Sequence, residues 1–282
     1  MSTLGELQRK GAYVLKDLER PSLEAKIILL KTLGISEEKF FSEPKLEVSK
    51  EKKDKYFRRL DQRKKGRPLA YITGSKEFWS LDFKVGQGVL IPRPETEVLV
   101  EKALPLYSGK KGMVVDVGTG CGNVAVALAK ERPELETVGL DISAQAVDYA
   151  RKNALVHDVQ NVWFAVGDLF EPLKKYVMKK QGQIIVSNPP YVDEKDWGAL
   201  DPQIRDYEPK QALVSGQEGY AFIKRLIRQA PDYLMPGGYL IFEIGKGQED
   251  KVKSFFTTRW ESVQCVEDLA GIKRVFLAKL ID

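Results

Sequence analysis

With 282 residues, 43% of them hydrophobic and 30% charged, the chain can bury one large core and a second, smaller one, and it carries no signature of disorder. A single histidine, His157, and two cysteines, Cys121 and Cys265, leave no material for His-based triads, clustered His ligation or a disulfide framework. The first ten residues hold no apolar run of signal-peptide length and no window approaches a membrane span, so the expectation is a cytoplasmic protein with no membrane contact and no metal centre.

The first seventy or so residues read as short helices. Leu4, Leu7 and Tyr13–Leu18, then Leu23, Ile27, Leu30 and Leu33, recur at helical spacing; Ser22 follows Pro21 as a cap, and Gly34 stops the helix. Ser49 caps a further helix whose apolar face is Tyr56, Phe57 and Leu60. Between Ser49 and Lys65 nine Lys or Arg face three acids, a surplus of six that accounts for the +5 of the whole chain. Such a run is usually a solvated face; its functional alternative is docking of an acidic or RNA-bound partner. Elsewhere the charges nearly balance, so direct nucleic-acid binding is not expected beyond this helix.

From Glu77 to Ile91 the pattern changes to Phe78, Trp79, Leu81, Phe83, Val85, Val89 and Leu90 with Gly86 and Gly88 between, which reads as a β-hairpin. Pro92-Arg93-Pro94-Glu95-Thr96-Glu97 then precedes an apolar-periodic helix. Two prolines and alternating charges suit a rigid lip over a pocket, and equally a helix start whose acids meet the dipole. After Gly112, Met113–Val117, Thr137–Leu140, Val162–Val166, Gln183–Ser187 and Tyr239–Ile244 are short apolar strands alternating with helical patterns. That alternation predicts an α/β fold, a mostly parallel sheet covered on both faces. Val263–Val266 and Val275–Leu277 read as an edge hairpin. The expected organisation is a helical domain over residues 1–74, a hairpin linker over 75–91 and an α/β domain over 92–282.

Val114-Val115-Asp116-Val117-Gly118-Thr119-Gly120-Cys121-Gly122-Asn123 is a strand, a glycine loop and a helix start, the place where α/β folds bind nucleotide-like ligands. The dinucleotide fingerprint wants a glycine at 123, where this chain has Asn. The next strand ends at Asp141, placed to accept two ribose hydroxyls; the one after ends at Asp168, placed to accept from an adenine amine, with Leu169 or Phe170 against the ring. Either Asp alone reads equally as a helix cap. The fourth strand runs into Asn188-Pro189-Pro190-Tyr191. The Asn oxygen and a Pro carbonyl can accept the two hydrogens of a planar –NH2 group, with Tyr191 stacked on its plane. That points to chemistry at an amide or amine nitrogen, the alternative being a Pro-stiffened turn. Cys121 has no visible basic partner and is not expected to act as a nucleophile.

The glycine loop with Asp141 and Asp168 resembles the class I S-adenosylmethionine-dependent methyltransferases, and the Asn-Pro-Pro-Tyr loop is similar to that of amino-group methyltransferases. Arg67-Pro68-Leu69-Ala70-Tyr71-Ile72-Thr73-Gly74, Ile91–Glu97 and Glu243-Ile244-Gly245 resemble the release-factor glutamine methyltransferases (the PrmC/HemK family), essentially end to end. The resemblance implies a Rossmann-like, seven-stranded methyltransferase sheet behind a helical domain that docks substrate. It implies S-adenosylmethionine as donor, S-adenosylhomocysteine as product, and as acceptor the glutamine of the Gly-Gly-Gln tripeptide in class I peptide-chain release factors. Gly118, Thr119, Gly120, Cys121, Gly122, Asp141, Asp168, Leu169 and Asn188 would hold the donor; Asn188, Pro189, Pro190, Tyr191, Arg93 and Glu95 would hold the substrate, with Asn188, Pro189 and Tyr191 catalytic. A monomer is expected. Leu169 stands where some members have Trp. A ribosomal-protein glutamine, or an adenine amine in DNA or RNA, is the alternative acceptor; the latter lacks an inserted target-recognition segment here.

Overall fold

The computed structural model describes residues 2–107, 112–175 and 181–281, which form two compact units: residues 1–75 with 201–207, and residues 76–200 with 208–282. The first unit is helical. Strand β1 (Ser2–Thr3) pairs antiparallel with β2 (Glu47–Val48) around helices α1 (Leu4–Val14), α2 (Pro21–Leu33), α3 (Glu37–Ser42), α4 (Lys50–Lys64) and α5 (Leu69–Thr73). Thr3 and Glu6 form a reciprocal capping box on α1. Ser36 and Ser49 cap α3 and α4 through their hydroxyls. Helix α2 departs from expectation at its start: Pro21 occupies the first turn, where its fixed φ fits and its missing N–H costs nothing, so Arg20 rather than Ser22 is the cap residue.

The core of this unit is Leu4, Leu7, Leu15, Ala25, Ile28, Leu29, Tyr56 and Leu60, all essentially buried. Phe57, expected on the same face, is only partly buried. Gly11 is required by packing, because a Cβ there would lie 1.9 Å from the Tyr56 hydroxyl. Several cations of α4 are structural. Arg63 is buried and paired with Glu24, Arg59 donates to Thr32 Oγ1 (3.0 Å), and Lys52 donates to the Leu33 carbonyl (3.2 Å). The short helix α10 (Pro202–Arg205) belongs to this unit, where Tyr207 Oη donates to the Lys65 carbonyl at 3.0 Å.

Strands β3 (Ser75–Phe78) and β4 (Leu81–Lys84) make a hairpin, turned through Trp79 and Ser80 at φ 51° and 57°. The Trp79 backbone N–H donates to Glu97 and its indole N–H to Glu131, both at 2.8 Å, which holds this turn against its intrinsic cost. The hairpin ends at Lys84; Val85–Ile91, expected to belong to it, is loop, broken by Gly86 and Gly88 (φ +95°) while Val85, Val89 and Ile91 stay buried.

Helix α6 (Glu97–Ala103) leads to the sheet: β5 (Met113–Val117), α7 (Asn123–Glu131), β6 (Glu136–Asp141), α8 (Ala144–Val156), β7 (Val162–Val166), α9 (Glu171–Lys175), β8 (Gly182–Ser187), α11 (Ala221–Gln229), β9 (Leu234–Glu243), α12 (Glu249–Lys253), β10 (Trp260–Glu267) and β11 (Lys273–Leu280). Its order is β10-β11-β9-β8-β5-β6-β7; the pairs from β9 to β7 are parallel, and β11 runs antiparallel between β9 and β10. The sheet is thus seven-stranded and mostly parallel, as the motif resemblance implied. Only β10 is an edge strand of the expected terminal hairpin. β9 starts five residues earlier than its apolar run suggests, through Pro236-Gly237-Gly238, and ends one sooner, at Glu243. Strand order reverses between β5 and β8, so their carboxyl ends open a crevice at the switch point. Among the described residues no helix is long and apolar enough to cross a membrane, and no cluster of three or more His, Cys, Asp or Glu is arranged for a metal ion.

Candidate active site

At the carboxyl ends of β5, β6, β7 and β8 lies a cavity of about 330 Å³. The glycine loop forms its floor. Gly118, Gly120 and Gly122 all have positive φ (76°, 57° and 83°), a run that L side chains resist. Gly118 N–H and Thr119 N–H donate to the Leu140 carbonyl (2.8 and 2.9 Å), binding the loop to the neighbouring strand end. A Cβ on Gly122 would meet Ala150 Cβ at 2.9 Å, so glycine also lets α7 and α8 approach.

Two carboxylates shape this floor. Asp141 accepts from Gly120 N–H (2.8 Å) through one oxygen and Ser143 N–H (2.9 Å) through the other. Burial raises its pKa, and those backbone donors oppose the shift. Asp116, not singled out in the sequence, accepts from Thr119 Oγ1 (2.7 Å) and Ala125 N–H (3.2 Å), tying the loop to α7. The available signal was an acid inside an otherwise apolar strand, Val115-Asp116-Val117.

Burial pushes the Asp116 carboxyl up to about 7. Because its folded pKa lies above the unfolded value, its contribution favours folding at low pH and is lost as pH rises through about 7. Asp116→Asn should therefore gain stability relative to the parent protein as pH rises from about 4 to 7. Paired denaturant titrations check this; a constant difference across that range contradicts it.

Asp168 lines the cavity and is ion-paired with Arg225 of α11, a residue the sequence reading missed. Leu169 also lines it, at φ 49°, with its side chain buried. Phe170 does not: it is fully buried and stacks on Tyr233, ring centroids 4.5 Å apart, so it is unavailable to a ligand ring. Cys121 is buried in the lining, and burial pushes its thiol up to about 12, which removes thiolate chemistry at neutral pH.

Asn188 and Pro190 face the same cavity, with Thr119, Gly120 and Arg93; Gly122, expected to hold the donor, is not in its wall. Asn188 Nδ2 donates to Thr96 Oγ1 (2.9 Å), while its Oδ1 and the Pro189 carbonyl take no hydrogen bond among the described residues. Thr96, inside Pro92–Glu97, in turn donates to Glu243 Oε2 (2.7 Å). Glu243 is 2% exposed, and its other oxygen accepts from Tyr191 Oη at 3.1 Å. Burial raises the Glu243 pKa, opposed by the Thr96 and Tyr191 hydroxyls and by Arg274.

Tyr191 is not part of the cavity wall. Its ring borders a separate hollow with Tyr220 and Gly245, its hydroxyl is held by Glu243, and burial with that carboxylate pushes the phenol pKa up. Its backbone is fixed as well: Tyr191 N–H donates to the Leu213 carbonyl (3.1 Å) and its carbonyl accepts from Gln248 (2.9 Å). Pro189 is buried and outside the wall, and Glu95 is exposed outside it. Arg93 is held by Glu208 Oε1 (2.5 Å), whose other oxygen accepts from Ile91 N–H (3.0 Å). Thr96, Glu208 and Arg225 were invisible as site residues because their partners lie 92 and 147, 115 and 57 residues away in sequence.

The family model Methyltransferase small domain matches residues 94–201, and the PrmC N-terminal domain matches residues 6–74. A solved methyltransferase from Pyrococcus furiosus shares the fold, with a TM-score of 0.55 and 16% identity over 78% of this chain and 100% of that one. The fold is that of a methyltransferase. Release factor glutamine methyltransferases are similar along nearly the whole length: that of Thermodesulfovibrio yellowstonii is 37% identical, covering 90% of this chain and 91% of the relative. Those of Koribacter versatilis and Aliivibrio fischeri are 38% and 36% identical, covering 93% and 96% of this chain and 92% and 94% of theirs. The chain belongs to the release factor glutamine methyltransferase family.

Proposed function

We propose that the protein transfers a methyl group from S-adenosylmethionine to the side-chain amide nitrogen of the glutamine in the Gly-Gly-Gln motif of class I peptide-chain release factors, acting as a cytoplasmic monomer. The observation that carries this reading is the Asn188 carboxamide, held by Thr96 through its nitrogen so that an uncommitted oxygen remains beside the glycine-floored cavity. Family membership supports the acceptor.

The residues present fit the donor. Three left-handed glycines let backbone approach a ligand closely, Asp141 keeps lone pairs for ribose hydroxyls beyond its two backbone donors, and Asp168 and Leu169 border the place for an adenine. Thr119 and Cys121 complete the floor. When bound, S-adenosylmethionine supplies an electrophilic methyl on a positively charged sulfonium.

An amide nitrogen is a poor nucleophile because its lone pair is delocalised into the carbonyl. Asn188 Oδ1 and the Pro189 carbonyl accept its two hydrogens, turning the nitrogen toward the methyl. The nitrogen bonds the methyl as the methyl–sulfur bond breaks, its electron pair staying on sulfur, and, made acidic by methylation, then gives up one proton to water. Alignment of this kind supplies several kcal/mol of barrier reduction. Pro190 stiffens the loop, and Tyr191 braces it from outside the cavity, its hydroxyl donating to Glu243. Arg93, fixed by Glu208, and Glu95 contact the substrate backbone. Residues 1–74 dock the release factor. Incubation with isotopically labelled donor and purified release factor, its Gln→Ala tripeptide mutant, ribosomal proteins and DNA tests the reading; label on a ribosomal protein or on adenine replaces the acceptor named here.

A further inference from the structure

We infer that Glu243 and Thr96 form a hydrogen-bond relay that fixes which end of the Asn188 carboxamide faces the substrate, making both positioning residues for the methyl transfer. The inference rests on the proposed role of Asn188 and extends it to Thr96, in the cavity wall beside it, and to Glu243, which lies outside that wall.

A carboxamide is nearly symmetric in shape, and rotation by 180° exchanges its oxygen for its nitrogen. With nitrogen toward the cavity it would offer hydrogens to a substrate –NH2 group that itself has only hydrogens to give. Something must fix the orientation, and packing alone discriminates poorly between two isosteric ends.

Glu243 supplies the direction. An ionised carboxylate only accepts. Both of its oxygens are engaged by hydroxyls, Tyr191 Oη at 3.1 Å and Thr96 Oγ1 at 2.7 Å. The single hydroxyl hydrogen of Thr96 is thereby spent on Glu243, and toward Asn188 its oxygen can only accept. The group at 2.9 Å from it must then be the Asn188 amide nitrogen, which leaves Oδ1 to the cavity. Each link is buried or partly buried: Thr96 and Glu243 are each 2% exposed, so water does not readily replace a lost partner.

The relay also explains a feature of the sequence. Thr96 sits inside the proline-rich lip and Glu243 at the end of β9, 147 residues apart, and both flank the loop after β8. Residues read as lip and strand end meet behind the loop they orient. The groups facing Glu243 are Thr96, Tyr191, Arg274 of β11 and Glu95; Arg274 and the two hydroxyls favour its charged form, and burial and Glu95 oppose it. Protonated, Glu243 could donate to Thr96 and reverse the chain.

The test compares Thr96→Val, which keeps shape and removes the hydroxyl, with Thr96→Ser, which keeps the hydroxyl and removes a methyl. With release factor as acceptor, Thr96→Val is expected to lower kcat on the order of 10- to 100-fold while leaving the KM for S-adenosylmethionine unchanged, and Thr96→Ser to retain most of the turnover. The Asn188 side-chain amide hydrogens, followed by nitrogen-15 NMR without donor or acceptor, should exchange slowly in the parent and Thr96→Ser proteins and rapidly in Thr96→Val. A folded Thr96→Val protein with parental kcat and slow exchange overturns the relay. So does Thr96→Ser failing as badly as Thr96→Val, which would assign the position to packing. A parent protein that leaves release factor unmethylated sinks the proposed acceptor instead, and the exchange measurement still decides the relay.

Discussion

Asn188→Ala should lower methyl-transfer turnover on the order of 100- to 1,000-fold, the range for losing one preorganised hydrogen-bonding group in a catalytic site. The side chain supplies the acceptor that turns the substrate amide: its Oδ1 is the end left over once Nδ2 is bound to Thr96. Truncation also leaves Thr96 Oγ1 without its donor, but the Thr96–Glu243 bond survives, so the fold should hold. Equilibrium binding of S-adenosylmethionine should barely change, because the donor-holding carboxylates lie on β6 and after β7 while Asn188 follows β8. Single-turnover kinetics with saturating donor measure the effect. Near-parental turnover would remove Asn188 from the chemistry.

The second large effect falls on the donor. Asp141→Ala removes the carboxylate proposed to take both ribose hydroxyls and strips two backbone N–H groups, of Gly120 and Ser143, of their acceptor. Hydrogen bonds to a charged group are worth about 1.5–3 kcal/mol each, so losing both should lower affinity for S-adenosylmethionine on the order of 10²- to 10⁴-fold. The glycine loop, whose positive-φ turns rely on Gly120 N–H being satisfied, should loosen as well. Asp141→Asn, which keeps one acceptor, should lose less. Isothermal titration with S-adenosylhomocysteine separates the cases; unchanged affinity in Asp141→Ala would place the ribose elsewhere. The two variants should divide cleanly, Asn188→Ala in turnover and Asp141→Ala in donor affinity.

What could be read from the chain follows from how local each cause is. β5 and β7 were legible to the residue because Met113–Val117 and Val162–Val166 are short apolar runs bounded by breakers. The parallel order came from alternation with helices. The start of β9 is not legible locally, because Met235-Pro236-Gly237-Gly238 looks like a turn and the ladder to β8 is irregular there, with a register shift between Gly182 and Ile184. The cap of helix α2 is ambiguous locally because Ser22 and Pro21 compete for the first turn, and proline's fixed φ decides it.

The site divides in the same way. Gly118, Gly120, Asp141, Asp168 and Asn188 each stand at a strand end, so the motif spacing alone gathers them on one edge of the sheet, and the structure brings them to one cavity. Tyr191 shows the limit: its place in the tetrapeptide suggested a face stacked on substrate, whereas its orientation is set by Glu243, 52 residues on. Glu208, Thr96 and Arg225 fix Arg93, Asn188 and Asp168 from remote parts of the chain. Nothing in their local sequence marks them, because their function is a contact.

The central claim is the acceptor atom. Purified protein, S-adenosylmethionine carrying a labelled methyl, and an intact class I release factor should yield one added methyl, which fragmentation mass spectrometry should place on the side-chain nitrogen of the Gly-Gly-Gln glutamine and abolish when that glutamine is alanine. A methyl mapped to any other residue, or a release factor left unlabelled while ribosomal protein or DNA is labelled, would contradict the account.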